Sequence, residues 1–274
     1  MGKKIFHFDL DGTLLNDEKM LTDKTRQALE VFVDKGNHFV INTGRAIDSA
    51  KKVYEDCRMN FKGSFLVGFN GCQIYDVDKD ELVYRETMEL SLVKEVFKVA
   101  LRHGIHCHTF TDDTIISPDN GECMQYYKKV IKTPLIVTDD IYSQLTVNPS
   151  KCIAIELHDH DKMENFRKEV ASLAPDKLKV MYSNDYYLEI FPQNAGKGAA
   201  VKKLCQMLEV DIKDSYAAGD QQNDIDMIQT AGCGIAMLNA VDALKQAADR
   251  ITKKDNNNDG LYDEILQACQ IENI

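Results

Sequence analysis

Two aspartates one residue apart, Asp9 and Asp11, stand in the run Phe-His-Phe-Asp-Leu-Asp-Gly-Thr-Leu-Leu that spans residues 6–15. In an extended backbone alternate side chains share a face, so both carboxylates point one way and Leu10 points back. Two carboxylates held together repel unless one takes a proton or a cation sits between them. Gly12 lets the chain turn sharply before Thr13. A cation-binding carboxylate pair at the tip of a strand is a candidate reaction centre. Taken alone, a D-x-D-G run is better read as a polar strand end with a turn. Three further segments repeat the layout, however. The apolar run 38–41 ends in Asn42-Thr43-Gly44-Arg45 ahead of a helix-like stretch. Residues 216–218 lead into Gly219-Asp220-Gln221-Gln222-Asn223-Asp224, and residues 187–192 precede Asn194-Ala195-Gly196-Lys197-Gly198 and another helical pattern. Ligands of open parallel sheets bind outside the carboxyl ends of the strands. The aspartates, the threonine and the lysine all fall at or near such ends.

The elements that must position them follow from periodicity. Residues 1 to about 75 alternate strand and helix, with helices over 23–35 and 46–57 and strands to residues 10, 41 and 67. Thr22 is the expected N-cap of the first helix and Gly36 its stop. The alternation resumes from about residue 190, with helices over 197–208, 223–230 and 240–248. This pattern predicts an α/β fold with a parallel sheet and crossover helices. The middle differs: strand-like runs at 82–85, 106–110, 115–117, 152–157 and 178–182 are mixed with helices over 92–103 and 162–173. It reads as an inserted α+β domain, with residues 1–82 and 189–274 forming the core and 83–188 the insertion.

At 274 residues, 44% hydrophobic and 28% charged, the chain has the make-up of a soluble globular protein. Eight scattered cysteines without C-x-x-C spacing fit reduced thiols, and no apolar segment reads as a leader or a membrane span. The expectation is a cytoplasmic protein. A net charge of −11 argues against nucleic-acid and anionic-membrane partners. An anionic small substrate then needs a local positive focus, for which a divalent metal, Lys197 and Arg45 are the candidates. Without coiled-coil heptads the reading leans to a monomer.

With these residues in view, the chain resembles the haloacid dehalogenase superfamily, and within it the Cof-type (class IIB) phosphatases. Asp9-Leu10-Asp11-Gly12-Thr13 resembles the first motif, Thr43-Gly44-Arg45 the second, Lys197-Gly198 the third, and Gly219-Asp220 through Asn223-Asp224 the fourth. Asn70-Gly71 and the stretch from Gly234 to Ala240 also look like the subfamily. The resemblance implies a Rossmann-like core with a cap inserted before the third motif. It implies Mg²⁺-dependent hydrolysis of small phosphorylated metabolites, sugar phosphates foremost, through an aspartyl-phosphate. By position, Asp9 is the nucleophile and Asp11 the general acid and base. Leu10 and Gly44, through their N–H groups, with Thr43 and Asn223 hold phosphate oxygens, and Lys197 offsets charge. Asp9, Asp220 and the backbone carbonyl of Asp11 hold the metal, with Asp224 orienting the shell. A raised pKa at Asp11 would suit its two roles. Asn42, Gly196 and Leu238 depart from the subfamily's usual residues without removing a catalytic group.

Other features carry less. Asp255-Asn256-Asn257-Asn258-Asp259-Gly260 begins like a calcium loop, but Leu266 stands where the closing glutamate belongs, so a polar turn is expected. His106 and His108 share a strand face, which reads as ordinary hydrogen bonding ahead of zinc binding. Arg45 can be read simply as the first exposed residue of its helix. A phosphomutase and a phosphometabolite sensor are the alternatives to a phosphatase.

Overall fold

The computed structural model describes residues 2–270. The chain forms two units, one running to Tyr84 and resuming at Gly196, the other covering Arg85–Ala195. Strand β1 (Ile5–Phe8) is buried along its whole length, as its apolar sequence requires of a strand covered on both faces. Phe6 and Phe8 share one face, with ring centroids 4.1 Å apart, and pack with Phe32 and Phe39. Ile5 faces the opposite layer with Val40, Val67 and Ala217. Helix α1 (Asp23–Asp34) starts where Thr22 Oγ1 accepts from the N–H of Thr25. Strand β2 (His38–Asn42), helix α2 (Ile47–Asp56) and strands β3 (Phe65–Gly68), β4 (Gln73–Asp76) and β5 (Glu81–Arg85) follow.

The second unit contains α3 (Leu90–His103), β6 (His106–Phe110), β7 (Ile115–Ser117), α4 (Glu122–Val130), β8 (Leu135–Val137), β9 (Cys152–Ile155), α5 (His160–Leu173), β10 (Leu178–Tyr182) and β11 (Tyr187–Pro192). Its sheet runs β10-β11-β9-β6-β7-β8 and is antiparallel except between β7 and β8. One face of it, including Cys107, Ala154, Leu188 and Ile190, packs on Val93, Val96, Phe166 and Val170 of α3 and α5.

The first unit resumes with α6 (Lys197–Met207), β12 (Ser215–Gly219), α7 (Ile225–Thr230), β13 (Cys233–Ala236), α8 (Asp242–Ala247), β14 (Arg250–Ile251) and α9 (Tyr262–Ala268). Its eight strands order as β14-β13-β12-β1-β2-β3-β4-β5. The pairings from β14 to β3 are parallel, and β3 with β4 makes an antiparallel pair. After β1 the chain builds outward on one side through β2 and β3, then returns on the other at β12. The strand order therefore switches between β1 and β12, the place where such sheets open a crevice at their carboxyl ends. Asp9 follows β1, Thr43 follows β2 and Asp220 follows β12.

The fold is α/β with a mainly parallel core sheet and an inserted cap sheet. Two strands lie elsewhere than their sequence suggested. β5 is the edge of the first sheet. β11, read as leading into the lysine segment like a core strand, pairs with β9 and β10 in the second sheet, where Leu188 and Ile190 meet α3 and α5. Residues 118–137 add α4 and β8, which periodicity did not reveal.

Candidate active site

The backbone N–H of Asp9 still donates to the carbonyl of Ala218, 3.0 Å away, so sheet pairing delivers this residue to the crevice. Its Oδ1 accepts from Nζ of Lys197 at 2.5 Å, and the same ammonium donates to Oδ1 of Asp224 at 2.5 Å. Lys197 opens α6 and its side chain is fully buried. Oδ2 of Asp224 accepts from the N–H groups of Asp220 and Gln221 at 3.0 and 3.1 Å, which fixes the loop that presents Asp220. Thr13 Oγ1 donates to Oδ1 of Asp220 at 2.9 Å. Oxygens of Asp9, Asp220 and Asp224 all lie within 4.8 Å of one another, and all three residues are buried.

Two glycines make this closeness possible. At Gly12, φ is 79° and an added Cβ would stand 2.5 Å from Oδ2 of Asp220. At Gly71, φ is 93° and a Cβ would stand 2.1 Å from the carbonyl oxygen of Gly196, the residue before Lys197. Asn42, noted above only as a departure, donates from Nδ2 to the carbonyl of Lys197 at 3.0 Å and so ties the end of β2 to the start of α6.

Burial lifts the carboxyl of Asp9 well above the usual range, against the pull of Lys197 and with help from Asp224 and Asp220. Asp220 is pushed up to about 6, by burial first and by Asp224 second, with Thr13 opposing. Burial works against the Lys197 ammonium, yet Asp224 and Asp9 outweigh it and hold the group charged above its ordinary value. Three carboxylates against one ammonium leave an excess of negative charge, which a divalent cation would offset. The donors are hard oxygens, the set Mg²⁺ or Ca²⁺ takes. Both oxygens of Asp224 are already engaged, Asp220 accepts from Thr13 on Oδ1 and from Gln221 Nε2 on Oδ2 at 3.3 Å, and Asp9 is engaged at Oδ1. The buried group of Asp9, Asp220 and Asp224 therefore fits a metal site.

Asp11 stands apart from that group. Its carboxylate takes a two-pronged contact from Arg45, Nε to Oδ2 at 2.9 Å and Nη2 to Oδ1 at 2.8 Å, and Lys19 Nζ adds a third donor at 2.8 Å. Burial raises its pKa, but Arg45 and then Lys19 outweigh burial and leave it below the ordinary value. The raised pKa expected for Asp11 is thus corrected: the expectation considered Asp9 as its neighbour and not these cations. Arg45 is not merely an exposed helix residue, and Lys19 carried no signal in the sequence, being one surface lysine among many.

The remaining candidates sit around this centre. Leu10 is buried in the core through its side chain, and its carbonyl accepts from the N–H of Leu15. Thr43 is buried, and its hydroxyl accepts from the N–H of Arg45 at 3.3 Å. Gly44 has Asn70 Oδ1 only 2.9 Å from where a Cβ would be. Asn223 is half-buried in the short turn before α7, and its side chain makes no hydrogen bond to another described residue.

The polar turn at 255–259 is a brace. Asn256 Nδ2 donates to the carbonyl of Leu15 and to Asp17, Asn257 exchanges hydrogen bonds with Asp17, and Asn239 joins Asn256 to the carbonyl of Gly12. In the second unit, His106 pairs with Asp119 through Nδ1 and with His108 Nδ1 through Nε2, at 3.1 and 3.3 Å. Among the described residues no helix is long and apolar enough to cross a membrane.

Comparison with known proteins agrees with this geometry. The model of the haloacid dehalogenase-like hydrolase family matches residues 6–265. The 5-amino-6-(5-phospho-D-ribitylamino)uracil phosphatase YwtE of Bacillus subtilis is 30% identical, over 97% of this chain and 99% of its own. The crystal structure of a haloacid dehalogenase-like hydrolase from Bacteroides thetaiotaomicron is similar with a TM-score of 0.86 at 27% identity, covering 97% of this chain and 99% of that one. The subclass IIB sugar phosphatase BT4131 has the same fold, with a TM-score of 0.78 at 20% identity and coverage of 98% and 99%. The chain belongs to the haloacid dehalogenase-like hydrolase family and is a phosphatase, a phosphoric monoester hydrolase.

Proposed function

We infer that the enzyme transfers the phosphoryl group of a small sugar- or polyol-type monoester first to Asp9 and then to water, with Mg²⁺ as its metal. The observation that carries this reading is the buried ammonium of Lys197 bridging Asp9 and Asp224. A dianionic phosphate is repelled by a carboxylate nucleophile, so positive charge must be built into the site before attack. Lys197 supplies part of it and holds one oxygen of Asp9, leaving the other to form the bond to phosphorus. Asp9, Asp220 and the backbone carbonyl of Asp11 would hold Mg²⁺, with Asp224 orienting them, and the bound ion would supply the rest as a Lewis acid. Thr43 and the N–H groups of Leu10 and Gly44 hold the non-bridging phosphate oxygens, and Asn223 is a further contact.

Asp11 gives its proton to the ester oxygen as the bond to phosphorus breaks and the alcohol leaves. In the second half-reaction it takes a proton from the water that attacks the aspartyl-phosphate, which returns free phosphate and the Asp9 carboxylate. To do so it exchanges its contacts with Arg45 for the substrate, while Lys19 stays on Oδ1. The inserted unit, residues 85–195, then selects among leaving groups. YwtE is named for a substrate whose phosphate ends a ribityl chain, which supports a polyol-type phosphate for this chain too. The test is phosphate release from a panel of hexose, pentose and polyol monophosphates with and without Mg²⁺. Mg²⁺-dependent release that vanishes in Asp9→Asn is expected; undiminished release by that variant rejects Asp9 as nucleophile. Isomerised product without matching free phosphate would show a mutase instead.

A further inference from the structure

We propose that Lys19 reads the substrate: its ammonium binds a hydroxyl oxygen on the carbon next to the ester carbon of the leaving group. The proposal rests on Asp11 being the group that meets the leaving oxygen. Arg45 alone already satisfies both oxygens of Asp11, so Lys19 is a third donor on a carboxylate that does not lack partners. Its side chain is 56% exposed, and an ion pair so exposed adds little to stability.

The backbone there is costly to arrange. Lys19 has φ 63°, in the left-handed region that residues with a Cβ seldom adopt and that Gly or Asn takes more readily. The turn holding it is nevertheless closed on every side. Lys19 N–H donates to the carbonyl of Asn16, Asn16 N–H to the carbonyl of Met20, and Met20 N–H to Oδ1 of Asn16, at 2.9, 3.0 and 2.9 Å. Cys57 Sγ lies 3.8 Å from the carbonyl of Lys19, and Asn256 and Asn257 anchor Leu15 and Asp17 just before it. A strained residue held this firmly puts its side chain at a set place, and that place is beside Asp11.

An ammonium has three donors and no acceptor. One donor goes to Asp11, and Lys19 makes no other side-chain hydrogen bond to a described residue. In the proposal the hydroxyl oxygen, three bonds from the leaving oxygen that Asp11 meets, takes one of the remaining donors. Such a group favours hydroxyl-bearing alcohols and gains nothing from a hydrocarbon of the same size, the asymmetry by which polar sites discriminate.

Propane-1,2-diol 1-phosphate and propyl phosphate differ only in the hydroxyl on the carbon next to the ester carbon, so they isolate this contact. With Mg²⁺ present, kcat/KM is measured for both substrates in the wild-type enzyme and in Lys19→Met, Lys19→Gly and Lys19→Arg. The ratio of propane-1,2-diol 1-phosphate to propyl phosphate is expected to fall about tenfold in the Met and Gly variants and to recover in part in Arg. Lys19→Gly relieves the backbone while deleting the side chain, so an unchanged or higher Tm in that variant separates substrate reading from a structural role. A ratio that holds while both substrates slow equally overturns the proposal and leaves Lys19 acting through Asp11. A ratio and rates that all hold reduce the contact to a surface ion pair. If the wild-type enzyme hydrolyses neither compound, nor any of the panel above, the function proposed for the site fails and this inference falls with it.

Discussion

Replacing Lys197 by Met keeps most of the side chain's volume and removes its charge from a site where three carboxylates crowd within 4.8 Å. At an effective dielectric constant of about 20, unit charges 4.8 Å apart repel by roughly 3.5 kcal/mol per pair, and each contact of Lys197 at 2.5 Å attracts by roughly 6.6 kcal/mol. Without the lysine nothing offsets the repulsion. The cost has a ceiling, because a carboxyl group can take a proton instead. At pH 8, protonating an aspartate of ordinary pKa near 3.9 costs about 5.6 kcal/mol. Loss of one partner from a buried ion pair gives about 3–5 kcal/mol, inside that ceiling. For a unit of this size the expected fall in Tm is roughly 6–20 °C. The sign with pH is fixed too. Carboxyl groups whose folded-state pKa is raised stabilise the fold below their unfolded pKa and lose that contribution as pH rises through the folded value. The variant's deficit should therefore be large at pH 8 in metal-free buffer and shrink towards pH 5. Differential scanning calorimetry across that range decides the matter. A variant as stable as wild type at pH 8 without metal would refute the charge accounting, and a deficit that grows on acidification would refute its sign.

Other consequences can be checked directly. Gly12→Ala, whose Cβ would press on Asp220 from 2.5 Å, should raise the Mg²⁺ concentration for half-maximal activity about tenfold or more, read from metal titrations of phosphate release. Arg45→Lys loses the two-pronged hold on Asp11 and should lower kcat by roughly tenfold to a hundredfold with little change in KM; the opposite split would make Arg45 a substrate-binding residue. Burial holds His7 near 3 and His108 well below its usual value, and neither nitrogen of His7 has a hydrogen-bond partner among the described residues. Histidines with depressed folded-state pKa stabilise the fold above about 6.5 and lose that contribution as pH falls, so chemical denaturation should show stability dropping from pH 6.5 downward by up to about 5 kcal/mol for His7. His108→Phe should flatten part of that slope, and an unaltered slope would exclude His108 as a source.

Asp9, Asp220 and Lys197 were legible because each sits where a strand or helix must begin or end, and such places show in the local pattern. The contact of Lys197 with Asp9 joins residues 188 apart, yet the motifs mark them without any knowledge of packing. The hold of Arg45 on Asp11 was not legible, since it depends on a side-chain direction that no periodicity encodes. Lys19 was invisible for the same reason, and its positive φ is a property of a turn closed by Asn16. β11 was misjudged because an apolar run announces a strand without naming its neighbours, and Tyr187–Pro192 suits either sheet. Asn42 looked like an irregularity until the carbonyl of Lys197 supplied its partner.

The brace between residues 255–259 and the loop after Asp11 has a bearing on how the enzyme is born. On the ribosome, Leu15 and Asp17 emerge 241 and 240 residues ahead of Asn256 and Asn257, which secure them. β1 likewise waits for β12, since Ile5 pairs with Ser215. The inserted unit, residues 85–195, is continuous in sequence and can fold while its host is still half made. The nascent chain thus carries its first acidic residues through those intervening stretches without the geometry that would let them act, and Asp9, the proposed nucleophile, is in place only once the distant strands and the asparagine turn have formed.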